Sequence, residues 1–315
     1  MSTTDFRQPP QGAHVELDDL LGLRFVAGEL QLAPRSLSRS LLAGSVRTRF
    51  RGRGMEFEEV RHYYPGDDIR TIDWRVTART QVPHTKLFRE ERERPVILML
   101  DQRPSMFFGS RHCFKSVTAA HAAALLSWAA LSQNDRIGAL IFSDTEEKDI
   151  RPKRSRHTLL HVLQQTHQFN RQLNDPRAQP GSQPLSQRLL DLRRIAKPGA
   201  AIFVISDFHD LDEQCDEQLY RLARHADVNL LAVSDPMEYA LPERLQLTVT
   251  DGQDRRLLDT GNRDWVSRYR DLHMQQDRHL QRLAAQLAIP LVQLSTQQAP
   301  LEALLPVFGK SACRR

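Results

Sequence analysis

Four apolar runs in this sequence each end on an aspartate: VILML before Asp101, ALIFS before Asp144, FVIS before Asp207 and LAVS before Asp235. In an open parallel sheet, side chains just past the carboxyl ends of the strands collect along one edge, where ligands bind at the switch in strand order. Carboxylates gathered so closely repel one another. The rim therefore needs a cation, which can be a metal ion, an Arg or Lys, or protons held by raised pKa values. An Asp after a strand also serves as a turn former or helix N-cap. Asp101 and Asp207 are set apart by their neighbours: the first opens Asp101-Gln102-Arg103-Pro104-Ser105, and the second lies in Ile205-Ser206-Asp207-Phe208.

The elements that must position these acids are visible from Pro95 onward, where apolar runs alternate with helical periodicity in the manner of βαβ units. VILML, IGALIF, AAIFVI and NLLAV are continuous apolar runs, which suit strands covered on both faces. Residues 113–131, apolar on nearly every side, predict a buried helix. Further helices are expected over 156–165, 182–195 and 211–225. Over 262–288, Trp265, Tyr269, Leu272, Leu280, Leu283 and Leu287 recur at helical spacing. PLVQLS reads as a last strand and residues 301–308 as a closing helix. The expected division is a flexible N-terminus over 1–16, an N-terminal region over 17–94 packed against the sheet, and an α/β domain over 95–315.

The chain has 315 residues, with 44 Lys and Arg against 39 Asp and Glu, for a net charge of +5. That length excludes a disulfide-stapled miniprotein, and 40% hydrophobic with 26% charged residues excludes a collagen or a disordered chain. Cys113, Cys215 and Cys313 lie far apart and form no C-x-x-C pair, which fits a reducing compartment. No apolar signal core or membrane span is evident, so a cytoplasmic protein is expected. Six Arg and no acid fall between Arg35 and Arg53. With Phe50 as the only aromatic there to stack on bases, a basic connector is the expected role rather than a nucleic-acid interface. GSRHCFKS, from Gly109, lacks the second Gly of a phosphate-binding loop, and His157 and His161 lack a third metal ligand nearby.

Ahead of the first strand stand Gly52, Gly54, Glu56, Phe57, Arg61, Tyr64-Pro65-Gly66-Asp67-Asp68-Ile69-Arg70, Ile72-Asp73-Trp74, Ala78-Arg79 and Glu90. Downstream follow Asp135-Arg136-Ile137-Gly138, Asp235-Pro236-Met237-Glu238 and a hairpin over 250–258. On these residues the chain resembles, from about Leu17 to Phe308, the bacterial von Willebrand factor A-like family catalogued as domain of unknown function 58. The resemblance implies a three-layer von Willebrand A-like (Rossmann-like) fold, with a mainly parallel sheet and helices on both faces. It also implies a metal-ion-dependent adhesion site of the pattern Asp-x-Ser-x-Ser after the first strand, completed by an Asp after the fourth. Members are typically associated with MoxR-type AAA+ ATPases in the maturation of client protein complexes.

Arg103 stands where that pattern has its first Ser. A hydroxyl ligand is lost and a guanidinium is placed beside Asp101, so Mg²⁺ through Asp101, Ser105 and Asp207 is weakened or abolished. Arg103 is expected to act as a built-in cation, pairing with Asp101 or Asp207 and keeping donors for a partner's carboxylate. Ser182 is the nearest substitute for the Thr of the third loop, and equally suits a helix N-cap. Around the Pro65-Gly66 turn, Arg61, Arg70, Arg75 and Arg79 flank Asp67, Asp68 and Asp73, a salt-bridge network expected to lie over Trp74. It either fastens the N-terminal region to the sheet or docks a partner. The function expected is a non-enzymatic adaptor or scaffold with a degenerate adhesion site. The alternatives are a nucleic-acid binder using the Arg-rich stretch and a metal-dependent hydrolase using the Asp rim.

Overall fold

The computed structural model describes residues 6–32, 55–64, 69–90, 94–173, 183–250 and 255–310. Asp67, Asp68, Ser182 and the Arg35 to Arg53 stretch lie outside the described residues. The chain divides into two compact units, Met1–Pro34 with Arg94–Arg315, and Arg35–Glu93. The expected 17–94 block is thus split, because its first part belongs to the core of the larger unit. Helix α1 (Leu17–Gly22) leads into short 3₁₀ turns that bury Leu20, Leu23, Ala27 and Leu30. Polar contacts fix the same segment: Val15 N–H donates to Asn170 Oδ1 (2.8 Å) and Trp128 Nε1 donates to the Leu20 carbonyl (3.0 Å). Phe6 packs against this core, Arg7 pairs with Glu29 (2.8 Å) and Gly12 bridges Cys113, so the expected flexible N-terminus is tied down over its described residues.

The smaller unit pairs β1 (Met55–His62) antiparallel with β2 (His84–Glu90), and between them lies α2 (Trp74–Thr80). Asp73 is the N-cap of α2, its Oδ1 accepting from Arg75 N (3.0 Å) and Val76 N (3.2 Å). The Arg61 guanidinium lies 5.3 Å from the Tyr64 ring centroid, and Arg70 and Arg79 are exposed. Trp74 is 67% exposed at the start of its helix, which corrects the expectation that it packs beneath a salt-bridge network.

The larger unit follows the expected βαβ course. Its elements are β3 (Pro95–Asp101), α3 (Lys115–Ser132), β4 (Arg136–Phe142), β5 (Glu147–Lys153), α4 (Arg156–Gln172), α5 (Leu185–Ile195), β6 (Ala201–Ser206), α6 (Glu213–Ala223), β7 (Asp227–Ser234), the hairpin β8 (Gln246–Thr250) and β9 (Arg255–Asp259), α7 (Arg263–Gln286), β10 (Leu291–Ser295) and α8 (Pro300–Phe308). The sheet order is β10-β7-β6-β3-β4-β5, parallel except for β5, which runs antiparallel to β4. Alternation along β3 separates the two cores. Val96, Leu98 and Leu100 face a cluster with α1, α3, α4 and α8, whereas Ile97 and Met99 face one with α5, α6 and α7. The fold is therefore a three-layer α/β sandwich. No helix among the described residues is long and apolar enough to cross a membrane.

Strand β5 carries no apolar run to announce it: in Glu-Lys-Asp-Ile-Arg-Pro-Lys only Ile150 is buried. As an edge strand it carries the charges and the proline that discourage pairing with another chain. Its ladder shifts register opposite Gly138, where a Cβ would sit 2.5 Å from the Ile150 carbonyl oxygen. Glycine is the residue that admits this approach.

Helix α3 is buried from Lys115 to Ala130. His121 lies within this buried stretch, and burial lowers its pKa from 6.5 to about 4. Since the unfolded chain binds the extra proton between these values, stability should fall as pH drops from 6.5 towards 4, by about 3 kcal/mol. Urea denaturation across that range should show the decline in the wild type and a flatter profile in His121→Leu. Identical slopes in the two proteins would refute the assignment.

Candidate functional site at the carboxyl edge

The register of β3 against β6 pairs Leu100 with Ile205, so Asp101 and Ser206 end neighbouring strands at one edge. Ser206 Oγ donates to Asp101 Oδ2 (2.7 Å). Arg103 turns back on the same carboxylate: its backbone N–H and Nε reach Oδ1 (2.9 and 3.1 Å), and Nη2 reaches Oδ2 (2.8 Å). The other side of the guanidinium grips Asp210, with Nη1 to Oδ2 at 2.6 Å and Nη2 to Oδ1 at 2.9 Å. Asp210 also accepts from the Leu185 N–H (2.9 Å), which ties the start of α5 to the rim. Burial works against the charge of Arg103, but Asp101 and Asp210 outweigh it and hold its proton more tightly than water does. Asp210 is held below the usual carboxylate range, its burial outweighed by the bonds from Arg103.

Asp207, one residue further, belongs to a second ion cluster. Lys115, the first residue of α3, donates from Nζ to Asp207 Oδ2 (2.8 Å) and to Glu238 Oε1 (2.6 Å), with its side chain 3% exposed. Burial alone would raise the Asp207 pKa, but Lys115 and His209 hold it far below the usual range. Lys115 is raised for the complementary reason, burial being overcome by Asp207 and Glu238. His209 Nδ1 lies 3.0 Å from Asp207 Oδ1, and this bond raises the imidazole pKa against its partial burial. Phe208, between them, is buried with φ at +52°, a strained conformation for a bulky residue that turns Asp207 and His209 around it.

Asp235 is a turn-capping residue. It caps the 3₁₀ turn Pro236–Glu238, accepting from Met237 N (2.9 Å), Ser110 N (2.9 Å) and Thr296 Oγ1 (2.6 Å). Its own N–H donates to Glu238 Oε2 (2.9 Å), which aims the remaining oxygen of Glu238 at Lys115. Asp144 is half-buried in the field of Arg103, with its pKa raised by burial.

Asp101, Arg103 and Asp207 thus share one edge, as the sequence predicted, but two corrections apply. Arg103 bridges Asp101 to Asp210 rather than to Asp207. Its side chain is 4% exposed with its donors directed at these two acids, so it is not placed to receive a partner's carboxylate. The rim is also net acidic. Asp101, Asp144, Asp207, Asp210 and Glu238 face Arg103 and Lys115, which gives −5 + 2 = −3 with His209 neutral and −2 with it protonated, the form that its bond to Asp207 favours. A basic group, not an acidic one, is the electrostatic complement.

The arrangement does not fit a divalent ion as it stands, since two cations fill the rim and the oxygens of Asp101 already accept from Arg103 and Ser206. Ser105 Oγ is buried and has no hydrogen-bond partner among the described residues, an orphan of the ligand set that the adhesion pattern would use. Sequence reasoning missed Lys115 and Asp210. Lys115 sits in the rejected GSRHCFKS motif, yet it is one of only six Lys in the chain and opens a helix with no other Lys, Arg, Asp or Glu. That combination is the signal that could have found it, because a buried ammonium must be paired.

Comparison with known proteins supplies the context. The uncharacterized protein Rv1480 of Mycobacterium tuberculosis is 28% identical over 249 residues, covering 78% of this chain and 75% of that one. Mb1516 of Mycobacterium bovis matches equally. Among solved structures, the conserved hypothetical protein BatB from Bacteroides thetaiotaomicron matches at TM-score 0.33 and 16% identity, over 62% of this chain and 98% of that one. The manganese-loaded TRAP protein of Plasmodium vivax matches at 0.31 and 11%, over 44% and 57%. The family described as "Protein of unknown function DUF58" matches residues 59–281, and the chain belongs to it.

Proposed function

We propose that this protein is a non-enzymatic adaptor that uses a degenerate adhesion site to bind a protein, working with a MoxR-type AAA+ ATPase in the assembly or maturation of a client complex. The observation that carries this reading is the double ion cluster of Arg103 and Lys115. Each cation is paired with two carboxylates at the strand ends where the family resemblance implies a metal. Such a rim is rigid and needs no resident ion, so partner binding rests on shape and charge rather than on a shared metal. The surplus of carboxylate at the edge favours a basic contact on the partner. Nucleotide chemistry belongs to the ATPase in this arrangement, and the chain works without leaving a reducing cytoplasm.

The test is binding of the purified chain to the purified MoxR-type ATPase of the same organism, by biolayer interferometry with magnesium or with chelator on the immobilised chain. Saturable binding indifferent to chelator is expected, and Asp144→Lys should weaken it by about tenfold through charge reversal at the rim. Absence of binding, binding abolished by chelator, or full affinity in Asp144→Lys would each count against the proposal.

A further inference from the structure

The opposite edge of the sheet carries a feature independent of the carboxyl rim. Where β3 and β4 begin and β5 ends lies a cavity of about 490 Å³, within the ~300–1,000 Å³ typical of small-molecule sites. Arg136, Arg151, Lys153, Arg194 and Lys197 line it, against one acid, Asp149. The local balance is 5 − 1 = +4, while the whole chain carries only +5.

Charged side chains on β5 alone would be explained as protection of an edge strand. That explanation does not extend to Arg136 on β4, to Arg194 at the end of α5, or to Lys197 in the loop beyond. Basic side chains from β4, β5, α5 and the loop beyond it converge on one cavity, and an anion there relieves the mutual repulsion of those without a carboxylate partner. Arg194 leans on Asp191 (3.0 Å) while 67% exposed, whereas Arg151, Lys153 and Lys197 form no ion pair among the described residues. Guanidinium groups suit the paired oxygens of phosphate. The rest of the lining is apolar, and its half-buried members Pro95, Pro152 and Ile195 offer a surface for a flat ring rather than more charge.

We propose that this cavity binds a small molecule with a diphosphate at one end and a flat base at the other, of the nucleoside diphosphate class. The size of the cavity favours a compact ligand over an extended chain. Phosphates meet Arg151, Lys153 and Lys197, and the base lies against Pro95, Pro152 and Ile195.

Calorimetric titration of the full chain at low salt with ADP, pyrophosphate and adenosine tests this. The expected order is ADP tightest, pyrophosphate weaker and adenosine without measurable heat. The double substitution Arg151→Gln and Lys153→Gln, at exposed positions that should leave the melting curve unchanged, should weaken ADP by about tenfold or more. Arg221→Gln, on the surface of α6, should leave ADP affinity as it is. No binding of ADP, or equal loss in the double variant and the Arg221 control, would overturn the site. Pyrophosphate binding as tightly as ADP would overturn the role given to the apolar lining.

Discussion

Lys115→Met should lower the unfolding free energy by about 3–5 kcal/mol, the usual consequence of removing one partner from a buried ion pair. The ammonium is the common partner of Asp207 and Glu238, whose side chains are 3% and 12% exposed, and methionine leaves both carboxylates without it. Methionine fills nearly the same volume, so the loss is electrostatic rather than a cavity effect. The pH dependence has a definite sign. Asp207, held below its unfolded value of 3.8, contributes stability that is present above that value and lost as pH falls through the folded pKa. Lys115, raised above 10.5, contributes stability that is present below 10.5 and lost as pH rises through its folded pKa. Between those limits both groups of the wild type keep their charges, so neutral pH is where the deficit is read. Adding Asp207→Asn to Lys115→Met should recover part of it, since the amide does not need a counter-charge. Chemical denaturation of the three proteins at neutral pH measures this. A loss below ~1 kcal/mol, the value of an exposed pair, would mean that Lys115 is solvated.

The second large effect concerns Arg103→Ser, which converts Asp101-Gln102-Arg103-Pro104-Ser105 to the full adhesion pattern. Without added metal, Asp101 keeps the Ser206 hydroxyl but loses its guanidinium, and Asp210 loses the same partner. A destabilisation of about 3–5 kcal/mol is expected. A divalent ion should then find Asp101, the new hydroxyl and the orphaned Ser105 Oγ, and restore stability by mass action, about 2.7 kcal/mol at a hundredfold excess over Kd. The melting temperature of Arg103→Ser should therefore rise with Mg²⁺ or Mn²⁺, while that of the wild type stays where it is. Equal shifts in both proteins would show that the guanidinium does not exclude the ion.

Much of this arrangement could be read from residue order. The runs VILML, IGALIF, AAIFVI and NLLAV had to be strands covered on both faces, and such strands place Asp101 and Asp207 at one edge. What escaped was decided by tertiary contact. Strand β5 is charged at all but two positions, and its pairing follows from its place at the sheet edge rather than from any apolar period. Asp210 lies three residues beyond Asp207 and reaches Arg103 because Phe208 takes a left-handed turn that the residue type disfavours. Lys115 comes from a different βαβ unit than Asp207, so only the packing of α3 under the edge brings them together. Leu20, Leu23 and Leu30 belong to the main core for the same reason, although the whole smaller unit separates them from it in sequence.

Titration of the wild-type protein with Mg²⁺ in a calorimeter, at neutral pH and low ionic strength, measures whether side-chain cations have taken the place of a metal at this rim. Heats no greater than dilution are predicted throughout. A saturable signal with micromolar affinity would contradict the account, because no ion could bind so tightly while Arg103 and Lys115 held their carboxylates.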